Sequence, residues 1–217
     1  GKTLTMSMIE NFFDIRRDSK AVFDGLNIMK HEEFCAEWMN QYPVLFITMK
    51  DAVGLTFESA YGMLKAAIAD VCIKHAYLAD SKGVDPFDVD TFQRLRGQTG
   101  TDSDIQRSLL AITRMMHAHY GKPVILLIDE YDVPLAKANE NRYYQEMLAV
   151  VRGIMSTALK SNDHLKFGVV TGCLRIAKES IFTGVNNFAS YSVIDNDFSR
   201  YFGFTHEEMD MLLAAAD

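Results

Sequence analysis

Apolar residues recur along this chain in two rhythms. At the start, Leu4, Met8, Ile9, Phe12 and Phe13 fall at helical spacing, which predicts an amphipathic helix ending near Asp18–Ser19. His31–Asn40 suits a short helix. "YPVLFITMK" is instead a continuous apolar run, a predicted strand over Val44–Met49 introduced by Pro43. A long helical segment is expected over Phe57–Leu78. The polar stretch "DSKGVDPFDVD", with its Pro and Gly, then reads as a loop and as the segment best suited to motion. Ser103 and Gln106 have the spacing of a capping box for the next helix, whose buried stripe is Ile105, Leu109, Ile112 and Met116. Gly121 ends that helix and Pro123 prevents its continuation.

"VILLIDEYD" follows, an unbroken apolar strand over Val124–Ile128 that stops on two acids. A helix over Arg142–Leu159 carries Tyr144, Met147, Val151 and Met155 on one side. "LKFGVVTG" reads as a third strand and "YSVID", near Ser192, as a fourth. Thr205 and Glu208 cap a last helix. Short apolar strands alternating with longer helices predict an α/β fold with a mostly parallel sheet covered on both faces. No internal repeat or low-complexity tract interrupts the pattern.

Composition narrows the picture. The 217 residues, 48% hydrophobic and 24% charged, suffice for one domain with a sizeable core. No uncharged run approaches the roughly 20 residues that span a bilayer, and the opening residues are not expected to be a secretion signal, since Glu10, Asp14, Arg16 and Arg17 interrupt their apolar positions. Cys35, Cys72 and Cys173 are odd in number and widely spaced, the usage expected of a reduced, cytoplasmic protein. The net charge of −7 is opposite to the usual footprint of a nucleic-acid binder.

The candidate chemistry lies in two distant pieces, "GKT" at the start and "IDE" in the middle. Gly-Lys-Thr closes the phosphate-binding loop G-x-x-x-x-G-K-[ST], which sits between a strand and a helix. Lys2 would bring a cation to the β/γ-phosphates of a nucleotide and Thr3 a hydroxyl to Mg²⁺, while the free N–H groups of the following helix favour an anion. Asp129, directly after an apolar strand, would stand in the shell of the metal, and Glu130 would act as general base on the attacking water. Read blandly, Lys2 is a solvated terminus and Asp129–Glu130 a turn or helix cap.

Together "GKTLTMSMIENFF", "YPVLFITMKD", "GKPVILLIDEYDVPL", "VVTGCLRIAKESIFTGVNNF" and "SRYFGFTHEE" resemble the bacterial AAA-ATPase-like domain family. These are P-loop NTPases, often fused to a downstream PD-(D/E)XK nuclease-like domain. The resemblance implies a P-loop NTPase-type three-layer sandwich over residues 1–203, followed by the start of a C-terminal helical extension over 204–217. It matches Gly1, Lys2 and Thr3 to the end of Walker A, and Asp129 and Glu130 to Walker B. It also implies ATP and Mg²⁺ as cofactors and a nuclease-like domain in cis as partner, and it admits a homo-oligomer. The family's first strand, the beginning of its loop and the downstream domain are absent from these 217 residues, so weak or absent ATP binding is expected of them alone. The competing expectation is a catalytically silent, nucleotide-gated or structural module. Direct nuclease activity ranks last, because the visible acids are taken by Walker B. Related nucleotide hydrolases place a polar sensor at the end of the strand beside the loop, which by that resemblance would be Thr171, and Arg175 and Lys178 follow it. An Arg near the γ-phosphate would stabilise developing charge. The plain alternative makes Thr171–Gly172 a strand terminus and Arg175 a surface or ion-pairing residue.

Several features are read as structural. His117 and His119 cannot share a helix face, and the other histidines lack partners nearby in sequence. Asp85, Asp88 and Asp90 lack the Gly and terminal Glu of a calcium loop and read as a solvated turn. Met6, Met8, Met115 and Met116 read as core filling, and Cys173 as a buried or half-buried spectator.

Overall fold

The computed structural model describes residues 1–160, 162–173, 189–191 and 205–216. Three parallel strands form its sheet in the order β1 (Val44–Thr48), β2 (Val124–Asp129) and β3 (Leu165–Val170). Thr48 lies beside Asp129, and Ile128 beside Val170, so all three strands end at one edge. Every residue of the central strand β2 is buried, which is why it reads as an unbroken apolar run. Lys166 is the extra residue of a bulge, since Leu165 faces Val124 while Phe167 already faces Ile125. The fourth strand expected near Ser192 lies outside the described residues.

Alternation along the strands divides the sheet into two faces. Leu45 and Ile47 of β1 and Val124, Leu126 and Ile128 of β2 join the larger core together with several helices, of which three are the longest. These three are α4 (Phe57–Lys74), α7 (Ser108–Tyr120) and α9 (Tyr144–Leu159). The opposite face, Val44, Ile125 and Leu127, receives Met6 of α1 (Lys2–Phe13), with Ile9 and Phe13 beside it. Burying each such side chain contributes about 1.5–3 kcal/mol.

Why α1 stops at Phe13, short of the expected Asp18–Ser19, is visible in its last carbonyls. Asn40 N–H donates to Phe12 O at 2.7 Å, Tyr42 N–H to Phe13 O at 3.1 Å, and Asn40 Nδ2 to Asn11 O at 3.1 Å. Asn40 does this from a left-handed backbone, φ +55°, which asparagine tolerates better than most residues. Between these anchors lie α2 (Lys20–Phe23) and α3 (Glu32–Trp38), the latter matching the short helix expected over His31–Asn40. Beyond α1, the Asp14 carboxylate is gripped by the Arg16 guanidinium, 2.7 Å from Nη2 to Oδ2.

Next to this pair lies His75, fully buried at the end of α4. Its Nδ1 is 3.1 Å from Tyr77 Oη and 3.5 Å from Arg16 Nη1. Tyr120 in turn donates to Tyr77 Oη. An arginine nitrogen can only donate, which assigns Nδ1 as the acceptor and the ring proton to Nε2, a buried atom with no hydrogen-bond partner among the described residues. Burial foremost, then Arg16 and Lys74, push the His75 pKa down to about 3.

The stretch read as a mobile loop holds a helix. Asp85 caps α5 (Pro86–Arg96), its side chain accepting from Phe87 N–H at 2.8 Å, with Pro86 at the first helical position. Phe92 and Leu95 of α5 are buried, and Asp88 is an ion-pair partner of Arg114, not part of a solvated turn. The expected capping box is also displaced by two residues. Thr101 and Asp104, not Ser103 and Gln106, cap α6 (Asp102–Gln106). The expected helix over Phe57–Leu78 ends at Lys74 and passes into a 3-10 turn over Ala76–Asp80. Gly121 ends α7 at φ +64°, as its position before Pro123 led one to expect. A helix absent from the sequence reading, α8 (Val133–Glu140), separates β2 from α9. At the other end of the chain, Thr205 and Glu208 exchange backbone-to-side-chain bonds at the start of α10 (His206–Ala216). Met6, Met115 and Met116 fill the core, but Met8 is 46% exposed and does not.

Candidate functional site

The site grows from the C-terminal edge of the sheet. β2 delivers Asp129 there, fully buried and on the face that receives α1. Its Oδ2 accepts a hydrogen bond from Thr3 Oγ1 at 2.8 Å. Its Oδ1 accepts one from the Thr171 hydroxyl at the exit of β3. One carboxylate thus joins the first turn of α1, the central strand and the third strand. Bonds to a charged acceptor are stronger than neutral ones, and both oxygens are served, as burial of a carboxylate requires.

Lys2 stands in the same first turn. Its Nζ donates to Cys173 Sγ at 2.6 Å. That contact first, then the nearby charges of Asp132 and Glu130, raises the Lys2 pKa, so the ammonium is held charged. Cys173 is exposed, not the buried spectator expected, and lies at the site as the partner of Lys2. Gly1 is the N-cap of α1 and makes no side-chain cap, so the opening N–H groups of the helix keep their partial positive charge at this corner.

Glu130 follows Asp129 in a left-handed conformation, φ +54°, uncommon for a residue with a side chain. Its backbone carbonyl accepts from Val133 N–H at 3.2 Å, which closes the turn into α8. Tyr131 N–H donates to Thr171 O at 3.3 Å, and Cys173 N–H donates to Asp132 Oδ2 at 2.6 Å. Burial foremost pushes the Tyr131 hydroxyl up to about 12, leaving it a neutral phenol. The segment Thr171–Cys173 packs so closely here that a Cβ on Gly172 would lie 2.6 Å from Tyr131 Cε1.

Of the residues singled out by sequence, Gly1, Lys2, Thr3, Asp129, Glu130 and Thr171 therefore converge on one sheet edge. Arg175 and Lys178 lie outside the described residues. Asp132 went unassigned in the sequence reading although "IDEYD" displays it, because nothing in that string says that its side chain crosses to the next strand's exit.

The donor set suits a hard cation accompanied by phosphate. Thr3 spends its proton on Asp129, which leaves the hydroxyl lone pairs free, and a hydroxyl plus a carboxylate is an oxygen environment of the kind Mg²⁺ prefers. Among the described residues no group of three or more His, Cys, Asp or Glu converges as a self-contained metal cage. A second polar cluster sits at the opposite end of the strands. There His117 Nδ1 and His164 Nδ1 are 3.0 Å apart, beside Arg114 and Gly121, in an open cavity of about 350 Å³. Burial first, then His117 and Arg114, lowers the His164 pKa. The sequence could not show this pairing, which joins α7 to the loop before β3. Among the described residues, no helix is long and apolar enough to cross a membrane.

Comparison with known proteins adds three findings. The model of a family described as predicted AAA-ATPase matches residues 1–182. An uncharacterized protein encoded in the vnfD 5′ region of Azotobacter chroococcum mcd 1 is 24% identical over 215 residues, which cover 99% of this chain and 36% of that protein. The chain therefore spans about a third of the length of this relative. No solved structure matches.

Proposed function

The chain belongs to the predicted AAA-ATPase family, and we propose that it is the ATP-hydrolysing domain of a larger protein, built as a P-loop NTPase sandwich. The observation that carries this reading is the junction in which Thr3, Thr171 and Asp129 meet at the sheet edge, with Lys2 in the same helical turn. Ligands of open α/β sheets bind at that edge.

ATP with Mg²⁺ supplies the reactive phosphoanhydride and the charge that activates it. Each residue then has one task. Lys2 leaves Cys173 for the terminal phosphates and balances their charge. Thr3 would hold the metal through its hydroxyl oxygen while still donating to Asp129, and Asp129 would orient that hydroxyl and lend its negative charge beside the metal. Glu130, turned out of the strand by its left-handed backbone, accepts a proton from the attacking water. Thr171 fixes the Asp129 carboxylate and faces the terminal phosphate, and Arg175 answers the developing charge. Coupling to a nuclease-like domain in cis, and assembly into a homo-oligomer, belong to the same proposal. Both rest on the family resemblance and the greater length of the relative.

Glu130→Gln in the full-length protein tests the assignment. Loss of a general base costs about 10²- to 10⁴-fold in rate, so steady-state phosphate release should fall by at least that lower figure while ATP binding by calorimetry persists. Hydrolysis by the variant at the parent rate would remove Glu130 from the mechanism. A full-length protein that binds ATP without turning it over would favour the nucleotide-gated, non-catalytic module.

A further inference from the structure

Asp132 is buried, 2% exposed, two residues beyond the proposed base. It occupies the N-cap of α8, where an aspartate ordinarily folds back to accept from the helix's own first N–H groups. Here it makes no such cap. Its Oδ2 instead reaches across to the Cys173 N–H at 2.6 Å. Two further observations mark the same crossing. Tyr131 N–H donates to Thr171 O at 3.3 Å, and a Cβ on Gly172 would lie 2.8 Å from Asp132 Oδ1, so the chain passes directly over the carboxylate.

We propose that Asp132 is a positioning residue for the hydrolysis assigned above, its carboxylate pinning Thr171–Cys173 so that the Thr171 hydroxyl stays seated on Asp129 and Cys173 stays within reach of Lys2. The inference rests on the ATPase reading. In this role Asp132 acts through the backbone of the β3 exit. A displacement of about 1 Å at a catalytic constellation costs on the order of 10²-fold in rate.

The test compares Asp132→Ala and Asp132→Asn in the full-length protein. The amide oxygen of Asn can still accept from Cys173 N–H, whereas Ala cannot. For Asp132→Ala, kcat should fall about 10- to 100-fold, with ATP affinity within about threefold of the parent because Lys2 and Thr3 remain in place. Asp132→Asn should recover most of the lost kcat. Hydrogen exchange gives a readout free of activity: the Cys173 amide should stay protected in the parent and in Asp132→Asn and exchange rapidly in Asp132→Ala. An active parent together with an Asp132→Ala variant of unchanged kcat, or of unchanged Cys173 protection, overturns this inference alone. An Asp132→Asn variant as impaired as Asp132→Ala overturns it too, since charge rather than the hydrogen bond would then be at work. A parent without ATP hydrolysis overturns the ATPase reading, and this inference with it.

Discussion

Acidification should weaken the fold through His75, and the size of the effect follows from its surroundings. The ring is fully buried, and its Nδ1 accepts from Tyr77 and Arg16. A second proton would have to enter on Nδ1, against a guanidinium, with Lys74 adding repulsion and Asp14 only partly offsetting it. The folded pKa of about 3 thus lies below the ordinary 6.5 of the unfolded chain. A depressed folded pKa means that the unfolded state takes up the proton first. Stability is therefore full above pH 6.5 and is lost as pH falls from there toward about 3. While the folded ring stays neutral, the loss is RT ln(1 + 10^(pKa − pH)) with the unfolded pKa. This is about 0.2 kcal/mol at pH 7 and about 2 kcal/mol at pH 5. His75→Asn keeps an acceptor near the Nδ1 position but cannot titrate. Urea unfolding of both proteins, followed by Trp38 fluorescence at pH 7, 6 and 5, isolates the term as a difference between them. Parent minus variant should drop by about 2 kcal/mol between pH 7 and 5. Profiles that run parallel within about 0.5 kcal/mol would show that the ring charges freely in the folded state, and the argument from burial would fail.

Two further substitutions probe packing on which the site depends. Gly172→Ala forces a Cβ to within 2.6 Å of Tyr131 Cε1 and 2.8 Å of Asp132 Oδ1. Relieving that overlap should cost about 1–3 kcal/mol in urea unfolding and lower ATP turnover, and a variant indistinguishable from the parent in both would mean that the segment is not tightly held. Asn40→Ala removes donors to Asn11 O and Asp14 O and an acceptor for Ser19 N–H, and leaves an alanine at φ +55°. It should destabilise by about 2–4 kcal/mol, and Asn40→Gly, which tolerates the dihedral, by less.

What could be read from residues alone has a physical logic. β2 was legible because a strand buried on both faces has no reason to alternate, and Gly121 before Pro123 is a stop signal that needs no tertiary partner. That Thr3 and Asp129 lie near one another follows the expectation that both serve one metal ion; the direct hydrogen bond between them was not expected. The helix α5 was missed although its signals were present, an Asp cap followed by Pro at the first turn. Its polar composition, with buried Phe92 and Leu95 on one side only, resembles a loop when counted by residue type. The capping box slipped because Thr101 with Asp104 and Ser103 with Gln106 share one spacing, and only the helix start chooses between them. The partnerships of Cys173, Asp132, His117 and His164 were out of reach, since each joins segments that only the folded sheet brings together.

Asp129 has two oxygens, and each is committed to a hydroxyl from a different end of the chain. The opening turn of α1 and the exit of β3 therefore cannot shift independently without breaking a bond to the buried Asp129 carboxylate. A displacement of Thr3 pulls on the same acid that seats Thr171, so the two ends of the junction are mechanically linked through one carboxylate. Such a linkage needs no hinge and no moving lid: a single buried acid works as a crankpin between the two.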